Sequence, residues 1–139
     1  MKDWLLVTIV VVILMGWLVG CAKVSPSETL IEYRRGGGFA GLDDRLIIKK
    51  SGEVILTRKL KRSEFTLDSD TIRHLQTLFE DANFSQLRKE YLPSRPGADL
   101  FEYVVTYKGH TVRTMDGAVP PPLQPILEAL DQIIESRGK

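Results

Sequence analysis

Apolar positions change their spacing several times along this chain, and each change marks an element. Residues 4–19 (WLLVTIVVVILMGWLV) are almost unbroken apolar sequence. After a short polar stretch at 22–27 (AKVSPS), residues 29–34 alternate enough to form a strand. A glycine-rich run, GGGFAG, occupies 36–41 and predicts a loop. Two β-rich runs at 45–50 and 53–58 flank Ser51 and Gly52, which predicts a hairpin with a two-residue turn. The basic stretch KLKRSE at 59–64 reads as a solvated strand end.

The period then becomes helical. Ile72, Leu75, Leu78, Phe79 and Ala82 share one face, with Arg73, Gln76, Thr77, Glu80 and Asp81 opposite. Asp68, Ser69 and Asp70 offer oxygens to the free N–H groups of a first turn, and Asn83 with Phe84 ends the run. Residues 85–91 predict at most a short extra turn, and two prolines with a glycine make 92–98 a loop. The strongest strand is 99–108 (DLFEYVVTYK), with Phe101, Tyr103, Val105 and Tyr107 on the face expected to meet helices. Gly109 and His110 predict a turn, 111–115 a return strand and 116–122 (DGAVPPP) a rigid loop. A last helix begins near Pro121 or Pro122, where a missing N–H costs nothing, and carries the stripe Leu123, Ile126, Leu127, Leu130, Ile133 and Ile134. Pro125 fits only in its first turn. Segregated hairpins and helices imply an α+β fold: an antiparallel β-sheet with two helices packed on one face.

The leading apolar run changes the picture of where the domain resides. Residues 1–20 have the layout of a secretory signal peptide, and Leu18, Val19, Gly20 and Cys21 resemble the cleavage motif of bacterial lipoproteins. The expectation is therefore a lipidated Cys21, a tether over 21–28 and one domain over 29–136. An uncleaved signal anchor is the rival, because the run is near the lower limit of about 17–25 residues that span a bilayer. Either way the domain faces outside the cytoplasm, in the cell envelope. Ala22 after the cysteine is compatible with an outer-membrane location where the cell has one. Cys21 is the only cysteine, so no disulfide supports the core. With 19 basic against 18 acidic residues, nothing points to nucleic acid.

Candidate chemistry is sparse. Gly36, Gly38 and Gly41 match a dinucleotide fingerprint in letters, but a strand rather than a helix follows, and Asp43 and Asp44 repel phosphate. Asp68 and Asp70 fail as a calcium loop, since Arg73 and Phe79 fill the required glycine and glutamate positions. His74 and His110 lack metal-ligand spacing and read as a helix-surface and a turn residue. No nucleophile elbow exists, and Asp99 and Glu102 follow no paired-carboxylate rule. The reading is of no enzyme, no metal and no cofactor. Phe39 is left as either an anchor at a loop tip or a side chain folded back into the core, the second being the simpler. The three prolines at 120–122 offer a polyproline surface or, more simply, a helix start.

Three segments taken in order resemble emfourin, the protein inhibitor of protealysin, a thermolysin-type zinc metalloprotease. They are GGFAG at 37–41, ADLFEY at 98–103, and DGA at 116–118 with PPLQPIL at 121–127. The resemblance covers most of the chain from about Ile31 to Ile134. It implies a small α+β domain that binds and blocks a metalloprotease and carries no metal itself. Candidate protease-binding residues are Gly37, Gly38, Phe39, Gly41, Asp116, Gly117 and Pro121. The lipoprotein signal departs from the inhibitor pattern. The alternative is a noncatalytic envelope lipoprotein that binds another protein or supports an assembly.

Overall fold

The computed structural model describes residues 28–95 and 97–137. The expected signal segment, Cys21 and the tether up to residue 27 lie outside the described residues. Four strands come first: β1 (Thr29–Gly37), β2 (Leu42–Lys49), β3 (Glu53–Arg58) and β4 (Lys61–Thr66). Helix α1 (Ser69–Asp81) follows, then β5 (Glu90–Tyr91), β6 (Phe101–Tyr107), β7 (His110–Met115) and α2 (Gln124–Arg137). They form one seven-stranded sheet in the order β4-β3-β2-β1-β6-β7-β5. Every pairing is antiparallel except the short β5–β7 contact. The fold is α+β, as the alternation of hairpins and helices predicts.

The decisive pairing joins distant sequence. β1 lies between β2 and β6, with Tyr33 opposite both Leu46 and Val105. Because side chains alternate between faces, this register puts Ile31, Tyr33, Leu46, Ile48, Val54, Leu56, Val105, Tyr107 and Val112 on one face, all buried. Leu75 and Phe79 of α1 and Ile126, Leu127, Leu130, Ile133 and Ile134 of α2 complete this core. Each such side chain contributes about 1.5–3 kcal/mol on burial. The Phe79 ring stacks on Tyr107 at 4.2 Å and meets Phe84 edge-on at 4.9 Å. The sheet's other face is laced with surface ion pairs, Arg45–Glu32 at 2.7 Å and Arg113–Glu90 at 2.9 Å among them.

Local chemistry explains the element ends. Asp68 accepts from the Thr71 amide and hydroxyl, both at 2.8 Å, so it caps α1. Those same bonds hold its carboxyl below the ordinary carboxylate range. Asn83, at φ 46°, turns the chain out of the helix. Pro121 and Pro122 lie in a 3-10 turn that leads into α2, with Pro125 in the first turn of the helix.

Three expectations are corrected. Residues 59–64, expected as a solvated strand end, are a turn followed by the start of a further, solvated strand. Lys59 (φ 44°) and Leu60 (φ 70°) make a tight turn, and Lys61 opens β4, the edge strand. That turn needs positive φ, which glycine or asparagine usually supplies; here a lysine and a leucine adopt it at a cost of about 1–2 kcal/mol each. Residues 85–91 include a second departure: Glu90 and Tyr91 pair in parallel with Arg113 and Thr114. The β6–β7 turn sits at Lys108 and Gly109, so His110 begins a strand instead of ending a turn.

Strand direction sets the geometry that matters for binding. The β1–β2 loop, the β3–β4 turn, the start of β6 and the end of β7 all lie at one end of the sheet. The chain enters β1 at the opposite end.

Candidate functional site

The β1–β2 loop is built on glycines that have little choice. Gly37 and Gly38 hold φ values of 100° and 69°, and Gly41 holds 57°. A Cβ at Gly37 would meet the Leu100 carbonyl oxygen at 2.7 Å, and one at Gly38 would meet the Phe101 ring at 2.6 Å. So the loop lies directly against the start of β6. The Gly38 amide donates to the Leu100 carbonyl at 3.2 Å, the Phe39 amide to Asp99 Oδ1 at 2.6 Å, and the Gly41 amide to the Gly38 carbonyl at 3.0 Å.

The β7 exit loop holds β6 from the other side. Asp116 Oδ2 accepts from the Phe101 amide and Oδ1 from the Tyr103 hydroxyl, both at 2.9 Å. The Asp116 amide returns a bond to the Phe101 carbonyl at 3.0 Å. Burial and the Asp116 bond push the Tyr103 hydroxyl well above its ordinary range, so it stays protonated and donates. Gly117 continues with φ 78°. Phe101 thus bridges the two loops.

These contacts bring together six of the seven residues expected to bind a protease: Gly37, Gly38, Phe39, Gly41, Asp116 and Gly117. They form one hydrogen-bonded rim. Pro121 is exposed at the start of the turn into α2. Among the described residues, no hydrogen bond joins it to the glycine loop. The expectation that Phe39 folds into the core is overturned: its side chain is 82% exposed. The ring is outside because its own backbone is fixed by Asp99 and the space beneath the loop is taken by Phe101.

Beside the rim lies an ion cluster that sequence reading missed. Arg35 Nη2 donates to Asp44 Oδ2 at 2.7 Å and to Glu135 Oε1 at 2.9 Å, while Nη1 sits 3.1 Å from Asp131 Oδ1. Arg58 reaches Asp44 at 3.3 Å and Glu135 at 3.6 Å. Tyr33 donates its hydroxyl to Asp131 at 2.8 Å. Asp44 is only 1% exposed. Burial pushes the Asp131 carboxyl up, against the opposing pull of the Tyr33 bond and Arg35. Burial alone would lower the Arg35 guanidinium, but its bonds to Asp44 and Glu135 hold it above the ordinary arginine range. Each carboxylate in the cluster already has a protein partner, so the arrangement clamps α2 to the sheet. The only sequence signal was a charge at an inward strand position, at Arg35, Asp44 and Arg58, facing charges at inward positions of the last helix.

The remaining candidates have structural partners or stand alone. His110 Nε2 bonds the Leu87 carbonyl at 3.0 Å, with its ring edge-on to Phe84 at 5.6 Å, and His74 is on the helix surface. Glu102 pairs with Arg113. Among the described residues, no group of three or more His, Cys, Asp or Glu side chains converges as metal ligands. No helix among them is long and apolar enough to cross a membrane. No family model matches the chain, and no curated protein matches it in sequence.

Proposed function

We propose that this chain is a lipoprotein, anchored in the cell envelope through Cys21, whose domain inhibits a thermolysin- or protealysin-type zinc metalloprotease. The observation that carries the reading is the meeting of the three emfourin-like segments. Residues 37–41 lie far in sequence from 98–103 and 116–118, which flank one hairpin, yet the three form a single rim with Phe39 presented at its tip.

Such a rim suits an inhibitor for physical reasons. A loop that enters an enzyme cleft must lose little freedom on binding, and here the Asp99, Leu100 and Gly38 bonds have already fixed the backbone. A tethered, closed loop resists being drawn out as an extended substrate. The exposed phenyl ring supplies the apolar anchor, and Gly41 and Gly117 keep its surroundings narrow. The chain enters β1 at the end of the sheet opposite the rim. A lipid on Cys21 would therefore join the domain at the end of the sheet opposite the rim, leaving the rim free for an exported or external protease.

The experiment is a titration of residues 22–139 into a thermolysin-type protease that is cleaving a small fluorogenic peptide. Stoichiometric loss of activity with the protein recovered intact supports the inhibitor. Undiminished activity, or digestion of the protein as a substrate, removes this reading for that enzyme. It would favour an envelope lipoprotein whose rim binds a different protein.

A further inference from the structure

The β3–β4 hairpin and the end of α2 enclose a second feature, separate from the rim. On the helix-bearing face, Arg137 of α2 and the corner where β2 begins, β3 ends and β4 begins do not close on one another. This leaves a groove of about 580 Å³. Its walls carry Arg58, Lys59, Lys61 and Arg137, Arg62 borders it from the other face of β4, and Leu42 and Leu56 contribute apolar surface. The one carboxylate in the lining, Asp44, is already bonded by Arg35 and Arg58. Among the described residues, Lys59, Lys61 and Arg137 stand in no ion pair, while Arg62 is paired with Glu64 at 2.7 Å. Leu60 caps the hairpin with its side chain 98% exposed.

Alongside the groove runs β4, the last strand of the sheet on that side, so its outer backbone groups have no strand partner among the described residues. Open edges of this kind accept an added strand. The charges select which strand. Lys59 and Lys61 leave this edge with positive charge that an acidic strand offsets and a second, equally basic β4 does not. An acidic strand would be drawn in. The selection also has a side: Lys61 and Ser63 face the groove with Arg58, whereas Glu64 lies on the opposite face with Arg62. An incoming strand therefore needs its carboxylates on alternate residues, on the groove side only.

We infer that the β4 edge and its basic groove bind an extended acidic peptide segment of a partner protein by strand addition, with Leu60 giving an apolar contact at the hairpin tip. The inference is independent of the inhibitor reading, since it uses neither Phe39 nor the glycine loop.

The test uses the full chain held in neutral detergent micelles and a fluorescent nonapeptide with glutamate at alternate positions. Binding is followed by anisotropy at low salt. The acidic peptide is expected to bind at least tenfold more tightly than the same peptide with glutamine. Lys59→Glu combined with Lys61→Glu should abolish that preference. Methylating alternate peptide amides should also weaken binding at least tenfold, because the strand could no longer pair. Both residues are exposed, so the double variant should keep its melting temperature, and Phe39→Ala should bind the acidic peptide normally. Equal binding of the two peptides, or an unaffected double variant, overturns the inference. So does an effect of the double variant confined to binding of phosphatidylglycerol vesicles, which would assign the cations to a lipid surface.

Discussion

Arg35→Met tests how α2 is held to the sheet. The arginine side chain is 12% exposed and serves Asp44, Asp131 and Glu135 at 2.7, 3.1 and 2.9 Å. Methionine fills similar volume but leaves Asp44, 1% exposed, with only Arg58 at 3.3 Å. Removing one partner of a buried ion pair costs about 3–5 kcal/mol, because the remaining charge stays desolvated. Asp131 and Glu135 are 32% and 60% exposed and regain water, so they add little. The loss should therefore be near the lower end, about 3 kcal/mol. In a domain of this size that is a fall of melting temperature on the order of 12 °C, read by circular dichroism on residues 22–139. The electrostatic cause has its own signature. Combining Arg35→Met with Asp44→Leu removes both charges and should recover at least half of the loss, because an apolar pair of similar volume replaces a buried ion pair at little cost. A single variant melting within about 3 °C of the parent, or a double variant worse than the sum of the two changes, would refute the clamp.

Other expectations can be checked on the same protein. Asp131→Asn keeps an acceptor for Tyr33 but cannot ionise. Because burial raises the Asp131 pKa, the parent loses stability as pH climbs through that titration, so the variant should gain on the parent from pH 3 to pH 7 in paired melts. Gly38→Ala should cost about 2 kcal/mol in urea denaturation, since its Cβ meets Phe101 at positive φ. Gly41→Ala, with open space around its Cβ, should cost only about 1 kcal/mol; equal losses would show that the Phe101 contact is unimportant. Phe39→Ala should leave the melting temperature unchanged, since the ring is exposed. If the ring anchors a protease, losing roughly 100–200 Å² of contact, discounted for ordering on binding, should raise the inhibition constant about 30-fold. Unchanged inhibition would take Phe39 out of the interface.

Spacing alone determined much of this protein. Period-two runs placed the β2–β3 hairpin and β6, including the inward aromatic face of β6. Apolar residues three and four apart placed both helices, and Asp68 announced the first of them, because caps and amphipathic faces are local properties. The β3–β4 turn escaped because its positive-φ positions are Lys59 and Leu60, residues that carry no turn signal. β5 escaped because two residues are too short to show a period and its pairing partner is over twenty residues away. The candidate site divides in the same way. The glycines and Asp116 stood out as loop chemistry, but local sequence could not say that they share one rim. That depends on β1 pairing with β6, a contact between segments some seventy residues apart. The same pairing puts Phe101 beneath the glycine loop and turns Phe39 outward, reversing the simpler expectation for that ring. The Arg35 cluster likewise exists only after α2 folds back over the sheet. Local sequence decides which residues form an element and which of its faces is apolar. Only tertiary structure decides which elements become neighbours, and therefore which charges must be buried together.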